Sequence, residues 1–257
     1  MSLCLLTAAI LVPSVPATPE VPAPTVMVQD APAPAPAPVW TGSVNLGANF
    51  TSGNSDVTTL NASADAERKS DEDRWSANVF YNTSEQGSPS TDTQDNSGLV
   101  VQYDRFISER MYLLATADYY TDDIATLDSR TKTGLGIGYQ FTETETFALR
   151  GETGVEWVNE DFAGGPPDDY YAVRLASVLG WQINERVRLA NDSEFLPSVE
   201  DSDDMTARSD TRLNINLSEK MQATFQYVLN WDNTPAAGIE RADHRFIVTL
   251  GWLFGGK

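Results

Sequence analysis

From Trp40 to Phe254 the chain keeps an every-other-residue rhythm of apolar and polar side chains, and that rhythm leaves it few ways to fold. In the first stretch Trp40, Gly42, Val44, Leu46, Ala48 and Phe50 are apolar or small, while Thr41, Ser43, Asn45, Asn49 and Thr51 between them are polar. Successive side chains of a β-strand point to opposite faces, so the stretch is a strand with one apolar and one wet face. The pattern returns at approximately 57–68, 74–83, 96–106, 111–121, 128–141, 146–159, 170–183, 186–195, 205–217, 221–232 and 240–254. Each segment is long enough to cross a bilayer as a tilted strand, which takes about 9–11 residues. An even count of twelve predicts an all-β protein, a transmembrane antiparallel up-and-down β-barrel with both ends on the periplasmic side.

The connections fit that topology. Short turns at 69–73, 107–110, 142–145, 184–185 and 218–220 alternate with longer acidic links at 84–95, 122–127, 160–169, 196–204 and 233–239, with 52–56 the short exception. Bacterial barrels pair short periplasmic turns with longer outside loops in this way. Trp40, Trp75, Trp157, Trp181, Trp231 and Trp252 all fall on the apolar face near strand ends, as do Tyr81, Tyr103, Tyr119, Tyr139, Tyr171 and Phe195. This is the placement of a lipid-interface girdle, whereas a soluble sandwich would hold such rings at strand centres.

Charge and composition narrow the partners. With 17 Lys+Arg against 37 Asp+Glu the chain carries a formal charge of -20, which repels phosphate backbones and argues against nucleic acid. The sequence holds no run of 18 or more apolar residues, and mean hydropathy is -0.31, so membrane crossing falls to the strands. At the N-terminus the apolar run Leu3 to Val12 is followed by small residues and proline. Residues 1–17 read as a secretion signal, with Val15 and Ala17 before the cleavage point and Cys4 lost with it. Residues 18–38, ending in four Ala-Pro repeats, read as a Pro/Ala-rich periplasmic spacer, and 39–257 as the barrel. A mature chain without cysteine has no disulfide framework and no thiol chemistry.

Several fragments also bring a family likeness. Leu46-Gly47 with Thr51-Ser52-Gly53-Asn54-Ser55-Asp56, then Tyr103-Asp104-Arg105-Phe106, Gly134-x-Gly136-x-Gly138-Tyr139, and Asp232-Asn233-Thr234-Pro235 with Asp243 occur in that order. Together they resemble the YdiY-type family of poorly characterised, salt-stress-induced outer-membrane proteins, over roughly residues 40–254. The resemblance implies a barrel in the outer membrane of a Gram-negative bacterium and a link to salt or envelope stress. It implies no particular chemistry.

Folding the hairpins about their turn centres places inward charges at one height in alternating sign: Asp118, Lys132, Glu156, Arg174, Glu194 and Arg208. Opposite charges across a strand pair attract, so the series reads either as a charged constriction or as a salt-bridged seam that stiffens the wall. A register slip of two residues would bring Glu152 or Asp192 into the same role. Gly134, Gly136 and Gly138 form a bare inward stripe, which either widens a water path or lets neighbouring side chains lie across it.

Catalytic and metal readings find little support in the residues. His244, the single histidine, lies on the apolar face between Ala242 and Phe246, neither a nucleophile; Ser209 has no base nearby, and Asp243 points the other way. One histidine and no mature cysteine exclude ordinary zinc or copper sites, and Asp168-Asp169 and Glu200-Asp201-Ser202-Asp203-Asp204 lack the ligand spacing of a calcium loop. The expectation is a non-enzymatic barrel without cofactor, whose narrow polar lumen passes ions or small solutes. Its partners are outer-membrane lipids and the barrel assembly machinery. The alternatives are a non-conducting barrel that anchors or maintains the envelope and, third, a lipid-modifying enzyme.

Overall fold

The computed structural model describes residues 39–52, 56–87, 89–235 and 238–255. The expected secretion signal at 1–17, the expected Pro/Ala spacer at 18–38 and residues 53–55 lie outside these residues. Twelve antiparallel strands close into one barrel: β1 (Thr41–Thr51), β2 (Val57–Lys69), β3 (Asp73–Gln86), β4 (Thr91–Phe106), β5 (Met111–Asp122), β6 (Leu127–Glu143), β7 (Phe147–Phe162), β8 (Asp168–Gln182), β9 (Val187–Pro197), β10 (Met205–Asn216), β11 (Met221–Asp232) and β12 (Ala242–Phe254). Every strand pairs with its sequence neighbours, and β12 returns to β1. The closing ladder is short, running only from Gly42↔Phe254 to Leu46↔Leu250, whereas β1 and β2 pair from Thr41↔Glu67 to Thr51↔Val57.

The face that a soluble protein would bury is the exposed one. Leu135 is 72% exposed and Phe246 70%, and Leu46, Val79, Leu99, Leu175 and Leu250 are exposed with them. The buried positions are mostly polar: Asn45, Arg74, Gln102, Asp104, Glu152, Arg174 and Thr249 all point inward. An apolar exterior around a polar, hydrogen-bonded interior is the arrangement a bilayer imposes on a closed sheet.

Five short turns are set by one device. Ser70, Ser108, Thr144, Asn184 and Ser218 each turn a side-chain oxygen back onto backbone N–H groups of the same turn, as Asn184 Oδ1 does from Arg186 (2.9 Å) and Val187 (3.0 Å). Such side chains replace the missing ladder partner of a tight reversal. On the opposite rim the strands run further than the alternation suggests. β3 and β4 continue to Gln86 and Thr91, so the expected link 84–95 shrinks to 87–90, and 160–169 shrinks to 163–167. The apolar rhythm stops where lipid stops, but ladder hydrogen bonds need no apolar side chain, and the hairpins project beyond it.

The inward glycines are covered. A Cβ on Gly138 would lie 2.0 Å from Tyr112 Cζ, one on Gly134 2.5 Å from Glu156 Cγ, and one on Gly98 2.7 Å from the Phe80 ring. The stripe on β6 is therefore a bed for neighbouring side chains and adds no width to the lumen. Gly138→Ala would push the Tyr112 ring off its seat and loosen its hydroxyl from Glu152 (2.7 Å). Overpacking of this kind costs about 1–3 kcal/mol, and chemical unfolding of the refolded barrel in detergent should show that loss for Gly138→Ala but not for Gly165→Ala in the open link 163–167.

Candidate functional site

A cavity of about 1300 Å³ runs up the barrel from the short-turn rim, where Glu143, Ser218, Glu219 and Lys220 line it. It ends around Phe80, Asn82, Asp118, Lys132, Glu194, Arg208 and Arg245, and its wall carries as many basic as acidic residues. The charge excess of the chain sits elsewhere, on the long-link rim. Asp122-Asp123, Asp168-Asp169 and the 200–204 acids crowd there, with Arg130 and Arg241 the described bases. Burial pushes the Asp204 carboxyl above its ordinary range, and the Glu160 and Asp232 charges push the same way.

Two arginines organise the wall. Arg174 on β8 donates to Glu152 (2.8 Å) and Glu194 (2.8 Å) and stands 3.3 Å from Glu156. Lys132 on β6 bonds Glu194 (2.6 Å) with β7 and β8 between them, and holds Asp118 at 3.3 Å. Glu152 also accepts from Gln102 (3.0 Å) and Tyr112 (2.7 Å), and Thr116 donates to Glu156 (3.1 Å). On the far wall Arg212 of β10 reaches Asp65 of β2 (3.1 Å), across β11, β12 and β1. It also holds Asp192 and lies 3.4 Å from Asp210, to which Gln226 donates (2.9 Å). Nearer the short turns Arg74 and Asp104 form a fully buried pair, with Arg74 Nε 2.7 Å from the carboxylate.

Above the cavity the lumen is filled. Arg208 lies over the Phe80 ring (5.6 Å), Phe80 packs on Tyr120 (6.2 Å), and Val158, Tyr170, Ala172 and Leu196 form a buried apolar cluster. Arg130 then spans from Glu160 to Asp232 of β11 (3.8 Å).

The six charges picked out from the sequence all sit on inward positions, and five of them share one connected network. The register that joins them differs from hairpin symmetry. Asp118↔Lys132 and Glu194↔Arg208 are cross-strand partners, but Glu156 stands opposite Gly134 and Ala172, and Glu194 opposite Ala176. The three intervening hairpins are thus each displaced by two residues, which draws in Glu152. Arg208 leaves the series: its guanidinium pairs with Asp210 (3.5 Å) and the Phe80 ring. Sequence reasoning missed the Arg212 centre and the Arg74–Asp104 pair. The first joins strands far apart in the chain, and the second hung on a link read as long and open.

The tryptophans occupy outward positions. Trp40, Trp75, Trp181 and Trp252 are exposed, Trp157 donates to Asp169 (3.3 Å), Trp75 packs on Tyr103 (4.6 Å) and Trp231 is half-buried. His244 Nδ1 bonds the Tyr227 hydroxyl (2.8 Å) on the same outer face, and Asp243 turns inward to Arg245 (3.5 Å). Among the described residues there is no group of three His, Cys, Asp or Glu side chains able to hold a metal.

Arg174 is the one basic partner of Glu156 among the ion pairs described, whereas Glu152 keeps Arg150 and Glu194 keeps Lys132. Arg174→Met therefore strands Glu156 in the wall, and removal of one member of a buried pair costs about 3–5 kcal/mol. The double variant Arg174→Met with Glu156→Gln should recover part of that loss in denaturant titrations, an outcome opposite to additive damage.

The family described as "Protein of unknown function, DUF481" matches residues 44–254, and it is the YdiY-type family. No curated protein matches the chain. Among solved structures, the NanC porin is similar at TM-score 0.51 and 11% identity, over 84% of this chain and 99% of that one. The translocator domain of the autotransporter NalP from Neisseria meningitidis is similar at 0.48 and 10%, over 85% and 88%. The KdgM porin is similar at 0.43 and 7%, over 82% and 98%. At such identity the NanC likeness is one of fold.

Proposed function

The chain belongs to the DUF481 family of proteins of unknown function, and from that premise we propose that it is a non-enzymatic channel of the Gram-negative outer membrane, built to pass small ions or solutes sparingly. The observation that carries the reading is the charge-balanced cavity of about 1300 Å³ reaching the short-turn rim and stopping at side chains. A scaffold with no transport role gains nothing from a polar cavity of this size, since each buried charge must be offset by partners. The stop is made of residues with torsional freedom, Arg208, Phe80 and Tyr120, so passage requires them to swing aside. The acidic long-link rim concentrates cations ahead of that stop and depletes anions, which sets the expected selectivity. The tryptophan ring pairs with the lipid interface at both rims, and the link to salt or envelope stress that the family resemblance implies fits a channel whose conductance is low at rest.

A second reading, a non-conducting barrel that serves the envelope, is favoured by the buried cluster of Val158, Tyr170, Ala172 and Leu196 at the closed end. Planar-bilayer recording separates the two. Small, infrequent cation-selective steps are expected from the wild type, and larger or more frequent ones from Phe80→Ala. Silence in both, with the protein shown to be inserted and folded, overturns the channel and leaves the scaffold.

A further inference from the structure

The outer face is mostly apolar, and in mid-bilayer its polar side chains gather on β8–β10. Ser177 of β8 stands opposite Ser193 of β9, which stands opposite Ser209 of β10, and beside them Asn191 stands opposite Thr211. Their neighbours along each strand turn into the lumen, Asp192 and Glu194 on β9, Asp210 and Arg212 on β10, and Arg174 and Ala176 on β8, so these odd-numbered positions turn out. Leu175, Phe195 and Ala207 flank the group toward the long-link rim, and Leu179, Leu189 and Leu213 toward the short turns. It therefore sits at the level of hydrocarbon, well inside the aromatic rims, where water and lipid headgroups do not reach.

The group bonds itself, but incompletely. Asn191 Nδ2 donates to Ser209 Oγ (3.1 Å) and Thr211 Oγ1 (2.9 Å), Ser193 Oγ donates to Asn191 Oδ1 (2.9 Å), and Ser209 is left to donate to Ser193 (3.0 Å). Both carboxamide hydrogens are then used. The Thr211 hydroxyl hydrogen and the Ser177 hydroxyl have no partner among the described residues, and Ser177 is exposed. Acyl chains cannot serve them.

We propose that this face of β8–β10 is a dimer interface, and that its occupant is the same face of a second copy of this chain. The patch has no charge, so it offers nothing to a charged partner. It carries hydroxyls and a carboxamide that donate and accept alike, and a twofold axis through it matches each spare donor with an acceptor of the other copy. Its short side chains let the two walls approach closely, and the surrounding leucines pack as a collar.

The test is cross-linking in proteoliposomes in a Cys4→Ser background. Ser177→Cys is expected to oxidise to a covalent dimer, while Val79→Cys, on β3 across the barrel, is not. A second measurement follows the association of the uncross-linked protein with protein-to-lipid ratio by energy transfer. Asn191→Leu with Ser209→Ala, and separately the near-isosteric Thr211→Val, should weaken it, the double change by about tenfold or more, while heat-modifiable gel migration stays normal. Equal cross-linking at positions 79 and 177, a wild type monomeric at every ratio, or unchanged association in folded variants overturns the proposal.

Discussion

A bilayer offers no hydrogen bonds, so every backbone N–H and C=O at its level must find a partner within the protein, and for a chain of strands the solution is a ring without edges. The closing contact of β12 with β1 is what completes it, and it is the weakest joint in the wall. Its ladder covers Gly42 to Leu46, the half of β1 next to the short turns. Toward the other rim β1 is held by β2 through Thr51↔Val57. Glycines also sit at the joint: Gly42, Gly47 and Gly251 let backbones and the Asn45 carboxamide approach at distances a Cβ would forbid. Close backbone approach takes the place of side-chain packing at the point where the two ends of the sheet meet.

Closure turns the polar face inward, and the contents of the lumen follow from that. Charges removed from water cost several kcal/mol each unless partnered, and simple cross-strand pairs cannot partner them all when both walls converge. The solution here is a shared centre. Arg174 serves three carboxylates on the adjacent strands β7 and β9, and Arg212 serves another three, of which Asp65 lies on a strand that the backbone ladder does not connect to its own. A backbone ladder ties only neighbours. The Lys132–Glu194 and Arg212–Asp65 links tie strands three and four places apart, and this braces the cylinder against flattening.

Facing was legible in the sequence because it is a local property: alternation over a single strand decides which side chains are wet. Arg174, Glu156 and Glu194 could be placed in the lumen on that basis alone. Register is not local in the same way. A slip of two residues preserves every facing and costs little in pattern, so the β6–β7, β7–β8 and β8–β9 pairings sat two residues away from hairpin symmetry without any sign in the alternation. The β6–β7 ladder also carries an irregularity at Gln140/Thr142, an extra residue on β6 that the partner strand does not match. Contacts across the lumen are less legible still. Nothing near Arg212 in the sequence points to Asp65, and nothing near Arg208 points to Phe80; only closure brings them together. Strand ends were misread for another reason, since the apolar rhythm marks the thickness of the membrane and the hairpins at Gln86 and Thr91 outlast it.

The same strands depart from the pattern on both faces. β8–β10 carry Arg174, Asp192, Glu194, Asp210 and Arg212 inward and Ser177, Asn191, Ser193, Ser209 and Thr211 outward, while β12 has Phe246, Val248, Leu250 and Trp252 on its outer face. A strand wet on its lumen side stays in a membrane through the apolar area it offers to lipid, and β9 and β10 offer little. Their hold comes from the ladders on either side and from the two arginine centres that both end on them, and the proposed second copy would add an outer partner for the hydroxyls. The inner network and the outer polar face are then two parts of one arrangement. The arginines fix the wall against the pull of its own polarity, and a wall so fixed presents its outer hydroxyls in one geometry, the condition that the proposed second copy requires.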